Sequence, residues 1–174
     1  MKVPFLDLRV SDTKVKKELL IAVDKVLTHG KIILGPEVQE FENNIANYCK
    51  RKFAVGTNSG TDALYFSLRS LGIGEGDEVI TVNAIVLTGA KPVFVDIRND
   101  LNINPNLIED AITKNTKAIL PVHFTGNMCD MDDINEIALR HDLIVVEDAA
   151  QAFGSKLNDR PSGSFGHIAC FSMN

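Results

Sequence analysis

The sequence predicts an α/β domain with a mainly parallel central sheet and helices on both faces. From residue 53 onward, short apolar runs alternate with stretches of helical periodicity. Strands that are apolar on both faces are typical of a parallel sheet that is covered on both sides. Before residue 53 the pattern is helical, so we expect an N-terminal helical arm (1–52) ahead of the α/β domain (53–174).

The arm contains two predicted helices. In residues 12–29, apolar side chains recur at helical spacing, Ser11 or Asp12 can cap the first turn, and Gly30 can end the helix. A second helix is predicted over 36–50, because Pro36 is a residue type favoured in the first helical turn.

Five strands are predicted after the arm. A helix at 61–71 precedes the first strand, and helices at 105–113 and 131–141 lie between later strands. The strands are the apolar runs Asp77–Val82, Lys91–Ile97, Lys117–Phe124, Leu143–Asp148 and Ile168–Met173. A turn-rich segment at 157–166 leads into the last strand.

Two features depart from an ordinary parallel domain. The first two strands are joined by Asn83–Ala90, whereas a parallel crossover needs about a dozen residues. The sequence also stops at Asn174, directly after an apolar strand, although natural termini usually lie at the surface. We therefore expect that residues are absent at both places.

The composition argues against several classes of partner. The net charge is −5 and no block of lysine and arginine stands out, so a nucleic acid is a poor candidate. No apolar run approaches the roughly 18–20 residues of a membrane span. Cys49, Cys129 and Cys170 are widely spaced and follow no metal-binding pattern, which predicts no metal site, no disulfide framework and a cytoplasmic location.

The first candidate site is the turn Thr57–Leu64, which leads into a helix. Gly60 allows a ligand to approach the backbone, and the free N–H groups at the helix start, with the hydroxyls of Ser59 and Thr61, suit a phosphate. The alternative is that this turn is an ordinary helix N-cap.

The second candidate site lies where two predicted strands end. Asp148 ends a buried strand at the sheet edge where open α/β sheets bind ligands, and a buried carboxylate needs a cation or hydrogen bonds. A protonated pyridine nitrogen would be such a cation, and Gln151 would lie on the same side if a helical turn follows. Ser172, at the end of the last strand, could add a hydroxyl to the phosphate site. The alternatives are that Asp148 caps a helix and that Ser172 is structural.

Seven segments, taken in order, closely resemble the DegT-type sugar aminotransferases, which are fold-type I enzymes that use pyridoxal 5′-phosphate (PLP). The segments are LGPEVQEF (34–41), NSGTDAL (58–64), GIGEGDEVI (72–80), GAKPVFVDI (89–97), TKAILPVHFTG (116–126), VVEDAAQAFGS (145–155) and GSFGHIACFS (163–172). The resemblance covers essentially the whole chain and corresponds to the N-terminal part of such enzymes. It implies the large PLP-binding domain of that fold, without the C-terminal small domain.

The resemblance also implies the roles of individual residues. Asp148 would be the catalytic carboxylate that pairs with the pyridinium nitrogen of PLP, and Gln151 would contact the oxygen side of the ring. The phosphate would be held by three residues at the helix start and one serine, namely Gly60, Thr61, Asp62 and Ser172.

The activity implied by the resemblance is transfer of an amino group, usually from glutamate, onto a keto group of a nucleotide-linked sugar. A homodimer with a shared active site is implied as well, with the arm and Ile32–Pro36 contributing to the neighbour's site. The family's Schiff-base lysine falls beyond Asn174, and the stretch that places a side chain over the ring is missing from Asn83–Ala90. The alternatives are a sugar 3-dehydratase, in which histidine replaces that lysine, and a non-catalytic PLP-binding or regulatory fragment.

Overall fold

The computed structural model describes residues 9–81 and 86–173. The predicted end of the first strand at Val82, the first half of the short connection and Asn174 lie outside the described residues. The chain forms two compact units, residues 1–45 and 46–174.

The first unit contains helix α1 (Thr13–His29) and the beginning of α2 (Pro36–Tyr48). Asp12 caps α1, because its Oδ1 accepts hydrogen bonds from the backbone N–H groups of Lys14 and Val15 at 2.8 and 3.2 Å. Gly30 ends α1 in the left-handed conformation, at φ 70°. Both helix starts agree with the sequence prediction.

The second unit is built on a parallel sheet. Among the described residues the strands are β1 (Glu78–Thr81), β2 (Lys91–Phe94), β3 (Thr116–Leu120), β4 (Ile144–Asp148) and β7 (Ile168–Cys170), in the order β2-β1-β3-β4-β7. All neighbouring pairs are parallel, which confirms the predicted architecture. A short antiparallel hairpin, β5 (Lys156–Leu157) and β6 (Arg160–Pro161), overlaps the segment 157–166 that is predicted to be rich in turns.

Both faces of this sheet are covered by a helix. On one face, Ile80, Ile119 and Val145 pack with the buried side chains of α4 (Met131–Arg140). On the other face, alternate strand residues pack with Leu68 of α3 (Gly60–Ser70). Because successive strand side chains point to opposite faces, runs that are apolar at every position build two hydrophobic cores.

The predicted helix over 105–113 is wrong. The segment forms two 3₁₀ turns, Pro105–Leu107 and Glu109–Ala111. The side chain of Ile108, between them, is fully buried in the core, and Ile112 is already extended at ψ 129°. The segment therefore ends before a longer helix can form.

Several predicted elements are too long. Strand β3 ends at Leu120, because Pro121 has no N–H to donate. Beyond it, an isolated parallel bridge joins Val122 to Asp148, and the N–H of His123 donates to the carbonyl of Asp148 at 3.0 Å. Helix α2 ends at Tyr48 rather than at residue 50, where Lys50 has a φ of 54°. Two further strands end before the predicted residues Ile97 and Met173, namely β2 and β7.

Strands β1 and β2 are adjacent and parallel although residues 82–90 are all that connects them. Residues Val86–Thr88 of this connection form a 3₁₀ turn. Within the two described ranges, no helix is both long and apolar enough to span a membrane.

Candidate functional site

The candidate site lies at the carboxyl edge of the sheet, where β4 and β7 end side by side. Asp148 is paired with Cys170 in register, and the N–H of Ala149 donates to the carbonyl of Cys170 at 2.8 Å. Ser172 follows two residues after Cys170. The fold therefore brings Asp148 and Ser172 to the same edge, where open parallel sheets bind their ligands.

The first turn of α3 leaves backbone N–H groups free at this edge. Ser59 caps the helix: its Oγ accepts from the N–H of Asp62 at 3.0 Å, and its carbonyl accepts from Ala63 at 2.9 Å. The N–H groups of Gly60 and Thr61 find no acceptor among the described residues. Free N–H groups and the positive end of the helix dipole together suit an anion.

Helix α3 lies along β7 so that its start faces Ser172. Farther along the helix, Ser67 Oγ lies 3.3 Å from Cys170 Sγ. At its start, a Cβ atom on Gly60 would lie 3.0 Å from Ser172 Cβ and 3.4 Å from Ser172 Oγ. Glycine at position 60 thus allows the hydroxyl of Ser172 to approach the free N–H groups.

Asp62 differs from its two neighbours in the predicted phosphate set. Its backbone N–H is already bonded to the capping Ser59 Oγ, so it is not free for a ligand. Its carboxylate stands in the first turn of α3, where a negative charge stabilises the helix. The geometry at Asp62 therefore favours the capping alternative more than direct contact with an anion.

The Asp148 carboxylate is buried, with 4% of the residue exposed. Among the described residues, it accepts a hydrogen bond from the N–H of Ala150 alone, at 3.1 Å. Burial raises the pKa of Asp148, and the hydrogen bond from Ala150 offsets this only in part. A buried carboxylate with so few partners is suited to a cationic ligand group.

Gln151 lies in the turn after β4 and reaches the turn after β3. Its Oε1 accepts a hydrogen bond from the backbone N–H of Thr125 at 2.8 Å. Thr125 has a φ of 52°, a conformation rare for this residue type. Since the carbonyl end of the amide is held in this way, its NH₂ end is the part left to donate to a ligand.

Sequence reasoning missed Glu147, which faces away from Asp148 into the protein. Its carboxylate is completely buried and accepts a hydrogen bond from His123 Nε2 at 3.2 Å. His123 Nδ1 accepts from the N–H of Cys129 at 3.2 Å, which assigns the ring proton to Nε2. The signal in the sequence that could have identified Glu147 is an acidic residue inside an apolar strand. A buried charge there needs hydrogen bonds or an opposite charge.

Hydrogen bonds keep Glu147 ionised despite its burial. Burial raises its pKa, but hydrogen bonds from His123 and from the backbone of Gly166, Gly163 and Phe165 outweigh that effect and hold the pKa below its usual value.

No group of three or more potential metal ligands occurs among the described residues. The ring of His123 is hydrogen-bonded to Glu147 and to the N–H of Cys129.

Comparison with known proteins identifies the relatives of this chain. Residues 13–174 match the family model described as the DegT/DnrJ/EryC1/StrS aminotransferase family. A dTDP-3-amino-3,4,6-trideoxy-alpha-D-glucose transaminase of Streptomyces venezuelae is 46% identical over 181 residues, which covers 99% of this chain and 48% of the relative. A UDP-2-acetamido-2-deoxy-3-oxo-D-glucuronate aminotransferase of Pseudomonas aeruginosa is 41% identical, covering 98% of this chain and 50% of the relative.

Solved structures show the same fold. Streptomyces venezuelae DesV, in complex with a ketimine intermediate, matches with a TM-score of 0.91 and 46% identity over 97% of this chain and 48% of that chain. NtdA of Bacillus subtilis, with bound cofactor PMP, matches with a TM-score of 0.87 and 38% identity over 97% of this chain and 40% of that chain. The chain thus spans about half the length of the relatives it matches.

Proposed function

Since the chain belongs to the DegT/DnrJ/EryC1/StrS aminotransferase family, we propose that it serves a PLP-dependent transfer of an amino group, from glutamate, onto a keto group of a nucleotide-linked sugar. The names of its relatives support this substrate class, because they are transaminases of dTDP-linked and UDP-linked sugars. The PMP bound to one structural neighbour supports the cofactor.

The observation that carries the proposal is the convergence of three features at one sheet edge. The free N–H groups of Gly60 and Thr61 and the hydroxyl of Ser172 form a cradle for a phosphate. Asp148, on the adjacent strand, offers a buried carboxylate with few partners to a protonated ring nitrogen. The residues present therefore fit the two charged ends of PLP.

Each of these residues has a definite task in the proposed reaction. When bound, PLP supplies an electron sink that stabilises the carbanion formed beside the transferred nitrogen. Asp148 holds the proton on the ring nitrogen, which keeps that sink effective. Gln151 donates from its NH₂ group to the oxygen side of the ring, while Thr125 fixes the other end of the amide.

We further propose that the active site is shared between two copies of the protein, in the cytoplasm. The segment Ile32–Pro36 would contribute to the neighbour's site. The side chains of Ile32, Ile33 and Leu34 are 72%, 86% and 84% exposed, which suits a segment that a second copy covers. The three cysteines are free and buried, in keeping with a reducing compartment.

We also propose that the connection at 82–90 is short relative to the family. The alignment with the Streptomyces relative is 181 residues long, whereas this whole chain has 174 residues. The relative therefore has residues that this chain lacks within the matched stretch. The sequence pattern indicates that the missing residues belong to the connection at 82–90, because a parallel crossover normally needs about a dozen residues.

Binding of pyridoxamine 5′-phosphate (PMP) to the purified protein tests the cofactor site. PMP has no aldehyde, so it does not form imines with surface lysines and reports on the cradle itself. We expect saturable binding in wild type and about tenfold or weaker binding in Asp148→Asn, because a charge-assisted hydrogen bond is lost. Asp142→Asn, which makes the same change at an exposed residue, is the matched control and should bind as wild type does. Equal PMP affinity in wild type and Asp148→Asn would contradict the role of Asp148.

The residue at the Schiff-base position distinguishes the reactions. Intact mass and sequencing of the peptide that contains Phe171 and Ser172, from the protein purified from its natural cells, would identify that residue. Lysine supports the transaminase, and histidine indicates a sugar 3-dehydratase. A mass of 19.1 kDa, with no such residue, indicates a PLP-binding fragment without this activity.

A further inference from the structure

The carboxylate of Glu147 is enclosed by the loop that precedes β7. We call residues 162–166 the glycine loop. Three of its backbone N–H groups converge on Glu147: Gly163 donates to Oε2 at 2.8 Å, and Phe165 and Gly166 donate to Oε1 at 2.8 and 2.6 Å. The side chain of Glu147 has no exposed surface. The loop conformation is therefore built around this one carboxylate.

The side chain of Arg51 donates hydrogen bonds to carbonyl groups of the glycine loop. Its Nε donates to the carbonyl of Gly163 at 2.9 Å, and its guanidinium also donates to the carbonyl of Gly166. The same guanidinium lies 3.8 Å from Glu147 Oε1. Glu147 thus accepts from three N–H groups of the glycine loop, Arg51 donates to two of its carbonyl groups, and the two charges lie near each other.

The glycine loop is connected to Ser172 along the chain. The N–H of His167 donates to the carbonyl of Val145 at 2.7 Å, and the N–H of Val145 donates to His167 Nδ1 at 3.0 Å. These bonds fix the register of β7 on β4, in which Ile168 faces Val146. A shift of the loop would move this register and, with it, the end of β7 at which Ser172 lies.

The loop also touches the residue before Ser172. A Cβ atom on Gly163 would lie 2.7 Å from Cζ of Phe171 and 3.0 Å from Cys49 Sγ, so the backbone of Gly163 packs directly on the Phe171 ring. Gly163 has a φ of 83°, which also favours glycine. The position of Ser172 is therefore determined by two routes, the strand register and the contact with Phe171.

We propose that Glu147 is a positioning residue for the phosphate site, because with Arg51 it fixes the glycine loop and so places the Ser172 hydroxyl against the start of α3. The inference rests on the proposed function, since it assumes that the cradle at Gly60 and Ser172 binds the cofactor phosphate. Neither Glu147 nor Arg51 touches the cofactor in this scheme. We expect their larger effect at the phosphate end, because the side chains of Asp148 and Gln151 are held by other bonds.

Comparison of two ligands, PMP and pyridoxamine, separates this role from a general loss of structure. Pyridoxamine has the same ring without the phosphate. We expect Ser172→Ala, Glu147→Gln and Arg51→Met each to weaken PMP binding about tenfold and to change pyridoxamine binding less than twofold. The double variant Glu147→Gln with Ser172→Ala should bind PMP no more weakly than the weaker of the two single variants.

Two variants serve as controls for folding and for specificity. Arg51 is partly exposed, so Arg51→Met carries the test if Glu147→Gln does not fold. Arg140→Met, which changes a surface arginine paired with Glu109 and Glu136, is the control and should bind both ligands as wild type does.

The outcomes are distinct. If Ser172→Ala leaves PMP affinity unchanged, the phosphate site of the proposed function is wrong. If Ser172→Ala weakens PMP binding but Glu147→Gln and Arg51→Met do not, or weaken both ligands equally, the positioning role is overturned.

Discussion

Glu147 and Asp148 are neighbouring buried carboxylates on β4 whose surroundings shift their pKa values in opposite directions. Glu147 accepts hydrogen bonds from His123 and three backbone N–H groups, and its pKa is lowered. Asp148 accepts a hydrogen bond from Ala150 alone among the described residues, and burial raises its pKa. The first carboxylate therefore has its hydrogen-bond partners within the protein, whereas the second has few, as we propose for a carboxylate that binds a ligand.

The raised pKa of Asp148 predicts a cost to the stability of the ligand-free protein. Between the pKa of the unfolded chain and the raised pKa of the folded state, the folded state binds more protons, so stability falls as pH rises through that interval. Asp148→Asn removes the buried charge and should raise the melting temperature at pH 7 by about 2–4 °C. The gain should shrink as the pH is lowered through the folded pKa of Asp148, where the wild-type carboxyl becomes neutral.

Thermal unfolding at a series of pH values measures this effect. The exposed Asp142→Asn variant should show no such pH-dependent gain. A lower melting temperature for Asp148→Asn than for wild type at pH 7 would mean that the ionised carboxylate stabilises the fold, contrary to our account. Together with the weaker PMP binding expected of the same variant, a gain would indicate that Asp148 is kept for function at a cost in stability.

The sequence identified Asp148 but not Glu147, for a physical reason. Asp148 ends its strand, and residues at the carboxyl ends of parallel strands are expected to meet a ligand. Glu147 lies inside the strand, and its backbone partners lie 16–19 residues along the chain, which a local pattern does not reveal. Gly60, Thr61 and Ser172 could be named from the sequence, but their proximity depends on how α3 packs along β7.

At the scale of elements, the helices and strands with two-sided or periodic apolar patterns were predicted well. Helices α1, α3 and α4 begin within one residue of the predicted starts. The sequence predicts a helix at 105–113, but burial of Ile108 in the core, rather than periodicity, determines the 3₁₀ turns of this segment. The sequence predicts only a turn-rich segment where the β5–β6 hairpin forms, since strands of two residues have no detectable alternation.

The turn of this hairpin offers a prediction about stability. Asn158 and Asp159 both have positive φ, 49° and 61°, in a two-residue loop of the kind that favours Asn-Gly. Asp159→Gly should therefore stabilise the protein by about 0.5–1 kcal/mol, since glycine adopts this conformation without strain. The expected rise in melting temperature is about 2–4 °C per kcal/mol for a chain of this size.

Thermal unfolding of two variants at position 159 provides the check. Asp159→Val places a β-branched residue at positive φ and should lower the melting temperature. If valine and glycine had equal effects, the turn would not have the left-handed geometry described here.

At the scale of the whole molecule, the three cysteines report on the packing of the unit formed by residues 46–174. Cys49, Cys129 and Cys170 are 3%, 0% and 3% exposed. Burial raises the pKa of Cys129 to about 12 and of Cys170 to about 11, and it also raises the pKa of Cys49. None of the three thiols is therefore prepared to react in the folded state.

We expect the thiols to react with a disulfide reagent at pH 8 at least about 100-fold more slowly in the native protein than in denaturant. A spectrophotometric thiol titration with and without denaturant measures this. Lys114→Cys, which adds a thiol at an exposed position, should supply one fast-reacting group under native conditions. Rapid reaction of a wild-type cysteine in the native protein would show that this unit opens locally at that residue.

The sequence by itself determined the class of fold, the parallel sheet, the family and the residues proposed to bind the cofactor. It could do so because two-sided apolar strands, helix caps and turn residues are local signals, and family motifs keep their order along the chain. The tertiary structure alone decided which distant groups meet, such as Gly60 with Ser172 and Glu147 with the glycine loop. Those meetings depend on the order and register of the strands. They bring Gly60 to Ser172, 112 positions away, and Glu147 to N–H groups that lie 16–19 positions along the chain, and no local pattern encodes such contacts.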